Sequence, residues 1–324
     1  MDLITLGITL LLCFIISLYT IIYLFSHNPR APFKSELFYI TNDSKKEQFA
    51  LPDRITGNSK YVDKGVDLSV IIPCYNETKR LRVMLDECIG YLKENYPGKF
   101  EILIVDDQSS DGTAEYALSL AEEFNLKPHE MKVVKFVKNR GKGGAVTHGL
   151  LYSSGKYALF ADADGASKFS DISKLIQFFD NELTDEPGVA IGSRAHMVNT
   201  DAVVKRSFIR NFLMHGLHTL VYVFGIRQVK DTQCGFKLFN HNSISKIFPH
   251  MHTERWIFDV EVLLLATIQN IKIKEVPINW QEIDGSKVDL AKDSIEMAID
   301  LIVTRIAYII GIYRLDKDKR VNPM

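Results

Sequence analysis

Tyr157-Ala158-Leu159-Phe160-Ala161-Asp162-Ala163-Asp164-Gly165 is the stretch on which the reading of the chain turns. Its first five residues form a short apolar run, which reads as a buried strand. Two carboxylates one residue apart stand where that strand ends. Alternate residues of an extended chain point the same way, so Asp162 and Asp164 can address one ligand together. Two hard, anionic oxygen donors suit Mg²⁺ or Mn²⁺, which bind through one or two carboxylates plus substrate phosphates. Taken alone, the same residues describe a solvated turn with Gly165 at positive φ, so the neighbouring segments decide.

Outward from this stretch, strand and helix signals alternate. Strand-like runs cover 68–72, 100–105, 132–137 and 189–192, and helical spacing covers 79–94, 113–124, 144–153 and 170–181. The pattern predicts an α/β domain with a mostly parallel, Rossmann-like sheet covered by helices. In such sheets ligands bind beyond the carboxyl ends of the strands. Polar clusters stand at four of those ends: Pro73-Cys74-Tyr75-Asn76-Glu77, Asp106-Asp107-Gln108-Ser109-Ser110-Asp111, Asn139-Arg140-Gly141-Lys142-Gly143-Gly144, and Asp162-Ala163-Asp164.

Each cluster has its own chemistry. Pro73 is expected to end the first strand by removing a donor. Tyr75 offers a flat face to a base, and Glu77 can accept from a ribose or base donor. A carboxylate at Asp107 can accept the imide N–H of uracil. Asp111 precedes Gly112-Thr113 as a helix cap and reads as structural. The Gly-rich segment is no P-loop, because Gly143 follows Lys142 where Ser or Thr belongs, and Val146 stands where a dinucleotide fingerprint needs a third glycine. At the start of a helix it can still bring backbone N–H groups, Arg140 and Lys142 toward a phosphate.

The flanks set the surroundings. Leu3–Phe25 carries no charge and is long enough to cross a bilayer core as a helix. Asp2 before it and His27-Asn28-Pro29-Arg30 after it favour an uncleaved anchor over a signal peptide. Arg30, Lys34, Lys45 and Lys46 on its C-terminal side put the remainder in the cytosol. The expected domains are an anchor over 1–26, a linker or irregular collar over 27–66, a catalytic domain over 67–290 and a membrane-proximal amphipathic helix with a tail over 291–324. Amphipathic stripes run through 205–226 and 295–313, facing either the core or a membrane interface. A net charge of −1 over 324 residues argues against nucleic acid as a partner. Four cysteines in no metal or disulfide spacing fit a reducing compartment.

Over 67–282 these motifs resemble glycosyltransferase family 2 enzymes with the GT-A fold. Within that family the chain is most similar to the branch that glucosylates dolichyl phosphate. The similarity rests on Gly192-Ser193-Arg194-Ala195-His196, on Asp231-Thr232-Gln233-Cys234-Gly235-Phe236-Lys237, and on Glu254-Arg255-Trp256 with Phe258-Asp259-Val260-Glu261. It extends to Asn279-Trp280 with Glu282-Ile283-Asp284-Gly285-Ser286-Lys287. The resemblance implies transfer of glucose from UDP-glucose to dolichyl phosphate with inversion, at the endoplasmic reticulum membrane, for protein N-glycosylation. By the same match Pro73, Tyr75, Glu77 and Asp107 would hold uridine, with Arg140, Lys142, Ala163 and Arg194 also on the donor. Asp162 and Asp164 would hold the metal and diphosphate. Asp231, Gln233, Arg255, Trp256 and Asp259 would surround the sugar and the reacting phosphate.

One departure is visible. His252 stands where the Gln-x-x-Arg-Trp motif of processive polysaccharide synthases has Gln, and a single membrane span offers no export channel, so single transfer is expected. Arg206, Arg210 and Lys237 are the candidate cations for the acceptor phosphate, with membrane lipid alongside. A homodimer is left open. So are three other readings: a mannosyl or other hexosyl transfer to the same kind of lipid, a catalytically silent nucleotide-sugar-binding membrane protein, and a sugar nucleotidyltransferase. The last needs a Gly-rich first strand end, where this chain has Pro73 to Glu77.

Overall fold

The computed structural model describes residues 2–43, 47–53, 65–197, 216, 219–220, 222–223, 226–283, 285 and 290–315. Arg206, Arg210, most of the 205–226 stripe, Asp284 and Ser286-Lys287 lie outside the described residues.

The N-terminal apolar run is one helix, α1 (Leu3–Phe25), capped by Asp2, whose carboxylate accepts the Thr5 N–H. Its 23 residues give a length of about 35 Å, enough to cross a membrane. A short hairpin follows, β1 (Phe38–Tyr39) with β2 (Phe49–Ala50). The alternating part then runs β3 (Leu68–Cys74), α2 (Leu81–Asn95), β4 (Phe100–Asp106), α3 (Thr113–Glu123), β5 (Met131–Lys135), α4 (Gly141–Leu151), β6 (Tyr157–Ala161), α5 (Ile172–Glu182) and β7 (Gly188–Ser193). After it come β8 (Phe236–Asn240), α6 (His241–Ile247), α7 (Phe258–Ile268), β9 (Lys272–Pro277) and α8 (Leu290–Ile309).

The main sheet has the order β5-β4-β3-β6-β8-β7-β9. Every residue of β4 is buried, as expected of a strand covered by helices on both faces. The chain runs outward from β3 through β4 and β5, then returns to lay β6 on the other side of β3. The carboxyl ends of β3 and β6 therefore meet at a reversal of strand order, where open α/β sheets bind ligands.

Two expectations change and a third is narrowed. β3 does not end at Pro73 but stays in register with β4 through Cys74. The Cys74 carbonyl accepts the Asp107 N–H, so residue 74 faces β4 and Pro73 faces the β6 side. Pairing with β6 has already stopped at Ile71, and the missing N–H costs no ladder bond there. Second, the sheet contains an unanticipated antiparallel strand, β8, between β6 and β7. Third, of the two readings of 27–66, linker or irregular collar, the described part has the packing of a collar. Glu36 is fully buried and accepts from Arg30, Phe33 N and Val137 N. Its carbonyl is 2.9 Å from Nε2 of His148. Burial pushes His148 down to about 3, so the neutral ring donates there.

The 295–313 stripe is divided. Met297 and Leu301 of α8 join the main core, while Val303, Ala307 and Tyr313 pack on Ile22 of α1. Ile295, Ile299 and Ile309 are exposed. The backbone N–H of His27, just past α1, donates to the Tyr313 hydroxyl, and the His27 ring meets Asp300 at 3.0 Å.

Candidate active site

β6 delivers Asp162 and Asp164 to the end of the sheet beside β8. Because β8 runs antiparallel, its start lies against the end of β6, with Ala161 opposite Phe236. The Asp162 N–H donates to the Gly235 carbonyl. A Cβ on Gly235 would come within 2.0 Å of Asp162 Oδ2, so only glycine lets this loop lie on the carboxylate. Ala163 is buried between the two acids.

The acidic pair is thinly supplied with positive charge. Lys142 Nζ sits 2.6 Å from Asp162 Oδ1, and Arg80 stands 3.8 Å from Asp164 Oδ2. Burial and then the charge of Asp162 push the Asp164 carboxyl above its ordinary range. Burial works against the Lys142 ammonium, but Asp162 and Asp259 outweigh it and hold its pKa up. The same ammonium lies 5.3 Å from the Phe160 ring centroid and 5.8 Å from that of Trp256.

Gly165, at φ +72, turns the chain away from the pair. The next segment is held by Asn279-Trp280: Lys168 N donates to the Asn279 carbonyl, and Gln281 N to that of Ala166. Asp171 fixes Asn279 through its backbone and side-chain amides. Arg194 lies over the Trp280 ring at 5.3 Å. The Asn279-Trp280 motif is thus the wall beside the acidic loop.

On the nucleotide side, Tyr75 is exposed at the end of β3. Glu77 is buried and takes a two-pronged bond from Arg80 at 2.9 and 2.7 Å. This ion pair also holds Arg80 toward Asp164. Arg80 drew no notice in the sequence, although its i,i+3 spacing from Glu77 is a recognisable helix-start pairing.

Asp107 accepts Arg140 N at 2.6 Å on one oxygen and Gly141 N at 2.8 Å on the other. Burial lifts its carboxyl to about 6 against these two donors. The backbone N–H groups of Arg140, Gly141 and Gly144 are therefore engaged within the protein, the last by the Glu254 carbonyl at 2.9 Å. The Arg140 side chain is nearly buried and paired with Glu254 at 2.6 Å. The N–H groups of Arg140, Gly141 and Gly144 and the Arg140 guanidinium, expected near a phosphate, are thus bonded within the protein. Of the charged groups of this Gly-rich segment, Lys142 is the one at the acidic pair.

The downstream motifs resolve into ion pairs. Arg194 grips Asp231 with Nε at 2.7 Å and Nη2 at 2.8 Å, and its backbone N–H adds a third bond. Burial opposes the Asp231 charge, but Arg194 overcomes it and holds the carboxyl below its ordinary range. Lys237 is fully buried, bonded to Asp259 and to the Cys234 carbonyl. An ammonium so enclosed has no path to a lipid phosphate, so Lys237 is removed from the acceptor candidates and becomes a core ion pair. Gln233 and Trp256 are half-buried, and Arg255 is exposed, bonded to Glu296 of α8 at 2.8 Å. His252 is buried, stacked at 3.5 Å on Tyr313 and held by Glu261. Among the described residues no group of three or more His, Cys, Asp or Glu forms a closed metal cage.

A model of glycosyl transferase family 2 matches residues 69–248. Dolichyl-phosphate beta-glucosyltransferase from Saccharomyces cerevisiae is 55% identical over 323 residues, covering 97% of this chain and 96% of that protein. Its human counterpart is 39% identical over 296 residues, covering 89% and 88%. Among solved structures, glucosyl-3-phosphoglycerate synthase from Mycobacterium tuberculosis, in complex with Mn²⁺, UDP-glucose and phosphoglyceric acid, aligns with a TM-score of 0.54. It covers 77% of this chain and 83% of that one, at 16% identity, a likeness of fold.

Proposed function

The chain belongs to glycosyl transferase family 2, with the GT-A fold, and we propose that it transfers glucose to dolichyl phosphate as its full-length relatives are named for doing. The donor is UDP-glucose and the product dolichyl β-D-glucosyl phosphate, formed with inversion at the anomeric carbon. The observation that carries this reading is the acidic pair. Asp162 and Asp164 end β6 at the reversal of strand order, short of positive charge, in a chain that follows enzymes of this activity from end to end.

The donor set fits a divalent cation of the Mg²⁺ or Mn²⁺ type. Two carboxylates on alternate positions, one pushed up partly by the other's charge, are the arrangement that a hard cation relieves. Asp162 and Asp164 would hold it, and it would neutralise the diphosphate of the leaving group. The chain's own residues do the rest. Tyr75 stacks on the base and the Asp107 turn shapes its edge. Lys142 adds a fixed positive charge beside Asp162. Asp231 and Asp259, each held by its own cation, set the walls around the sugar with Gln233 and Trp256.

The acceptor needs no general base. A phosphate monoester has its second pKa near 6 and is mostly dianionic at pH 7, so its oxygen can attack directly. The site must supply positive charge and in-line alignment. With Lys237 enclosed, that charge falls to Arg255 and to Arg206 and Arg210. Helix α1 anchors the enzyme, which works on the cytosolic face of the endoplasmic reticulum membrane in protein N-glycosylation. The deciding experiment gives purified full-length protein dolichyl phosphate and a panel of nucleotide sugars. UDP-glucose is expected to react, giving a β product only with Mg²⁺ or Mn²⁺ present. Preference for another sugar, or an α product, overturns the reading.

A further inference from the structure

The glycines of 141–144 also serve packing. A Cβ on Gly141 would stand 2.6 Å from the Glu254 carbonyl oxygen, one on Gly143 2.5 Å from the Phe258 Cβ, and one on Gly144 2.5 Å from the Arg140 Cβ. Gly141 and Gly143 let the start of α4 lie directly against 254–258, and Gly144 leaves room for the Arg140 side chain. Two hydrogen bonds lock that contact. Gly144 N donates to the Glu254 carbonyl at 2.9 Å, and the Arg140 guanidinium holds Glu254 Oε1 at 2.6 Å. The other end of the same turn is fixed by Asp107 through the N–H groups of Arg140 and Gly141. Two residues past Glu254, the Trp256 ring reaches Lys142, which sits on Asp162.

We propose that Arg140 and Glu254 form a positioning pair that transmits the placement of the Asp107 turn to the turn carrying Arg255 and Trp256. The chemical step depends on the pair, and nucleotide affinity does not. The inference rests on the reading of Arg255 and Trp256 as the sugar and acceptor side of the site. The pair touches neither substrate. It sets where Trp256 stands, and a misplacement of about 1 Å at a reacting centre can cost on the order of a hundredfold in rate. The Arg140 side chain is nearly buried, so loss of one partner would leave the other's charge in low dielectric.

The test compares Glu254→Gln, Arg140→Met and the double variant in the purified full-length enzyme. Each is expected to lower kcat by about 10- to 100-fold and raise KM for dolichyl phosphate. Affinity for UDP-glucose, measured calorimetrically without acceptor, should stay within about twofold. Two residues acting as one unit do not add, so the double variant should be no slower than the worse single one. It also removes both charges, which keeps the test usable if a single variant misfolds. A fall in UDP-glucose affinity in step with kcat would return Arg140 to the nucleotide pocket and overturn the proposal. So would lower thermal stability with unchanged kcat. Trp256→Ala separates the premise from the inference: ordinary kinetics there, beside impaired pair variants, would sink the acceptor-side reading on which the pair's role rests.

Discussion

Two pairs of aspartates proposed for the same site are treated in opposite ways. Asp231 and Asp259 each have a cation of their own, Arg194 for one and Lys237 for the other. Asp162 shares one lysine, and Asp164 has an arginine no closer than 3.8 Å. Where a buried carboxylate is matched inside the protein, its charge shapes the fold. Where it is left under-matched, the charge is available to whatever enters. Spacing does not separate the two cases, since all four residues occur in motifs. The partner does.

The largest effect expected from breaking this contrast is on stability. Asp259→Asn leaves the Lys237 ammonium enclosed without a counter-charge, which costs on the order of 3–5 kcal/mol. Melting in detergent should show it as a large drop in Tm. Replacing both residues, as Lys237→Met with Asp259→Leu, should recover most of the loss. If Asp259→Asn melts like the wild type, the pair is not the core element described here.

Asp164→Asn should behave in the opposite sense. Its carboxylate is not the counter-charge of a buried cation, so the fold should survive with Tm nearly unchanged. Loss of a ligand to the cation that would neutralise the leaving diphosphate should remove about 10²–10³ in kcat. Mn²⁺ binding followed spectroscopically should weaken in parallel. A variant that stays active while melting early would place Asp164 with Asp231 and Asp259.

A third acid serves as the baseline. Asp111 accepts the N–H and the hydroxyl of both Thr113 and Thr78, which ties the head of α3 to the turn after β3. Asp111→Asn should cost about 1 kcal/mol, the usual worth of a cap, and leave kcat close to wild type. A kcat loss rivalling that of Asp164→Asn would dissolve the distinction between capping and site carboxylates.

What could be read from the sequence follows the same division. Period and apolar runs located β3 to β7 and α2 to α5, because a strand covered on both faces needs a continuous apolar run. The placement of Asp162 and Asp164 just past a strand end was legible because a strand end and an alternate spacing are local properties. β8 was not, since Phe236-Lys237-Leu238 carries a lysine that looks solvated until Asp259 is brought beside it. Arg140 failed for the same reason: its partner Glu254 is 114 positions away. The glycines of 141–144 were read as room for a phosphate, whereas the room is taken by 254–258 and the Arg140 side chain. In each case a basic or flexible residue was given an external ligand because its internal one could not be seen.

The last test concerns Asp107, which lies between the two classes: its oxygens are engaged, yet by backbone N–H groups and not by a cation of its own. Burial raises its carboxyl from the ordinary 3.8 to about 6. A raised folded pKa means that the contribution to stability is full below about 3.8 and is lost as pH rises through about 6, so acid does not unfold the protein through this group. What acid does change is the turn. Protonation puts an O–H on one oxygen, and Arg140 N or Gly141 N then faces a donor. UDP-glucose has no ionisation near 6, so its binding in the absence of acceptor isolates this event from the titration of the lipid phosphate. Affinity should fall as pH drops through about 6, by at most about tenfold per unit for a single proton. Asp107→Asn should bind weakly and without that pH dependence. Persistence of the slope in the Asn variant would assign the proton elsewhere, with Asp164 the first alternative, and adding Mn²⁺ would then flatten the profile by holding that carboxylate ionised.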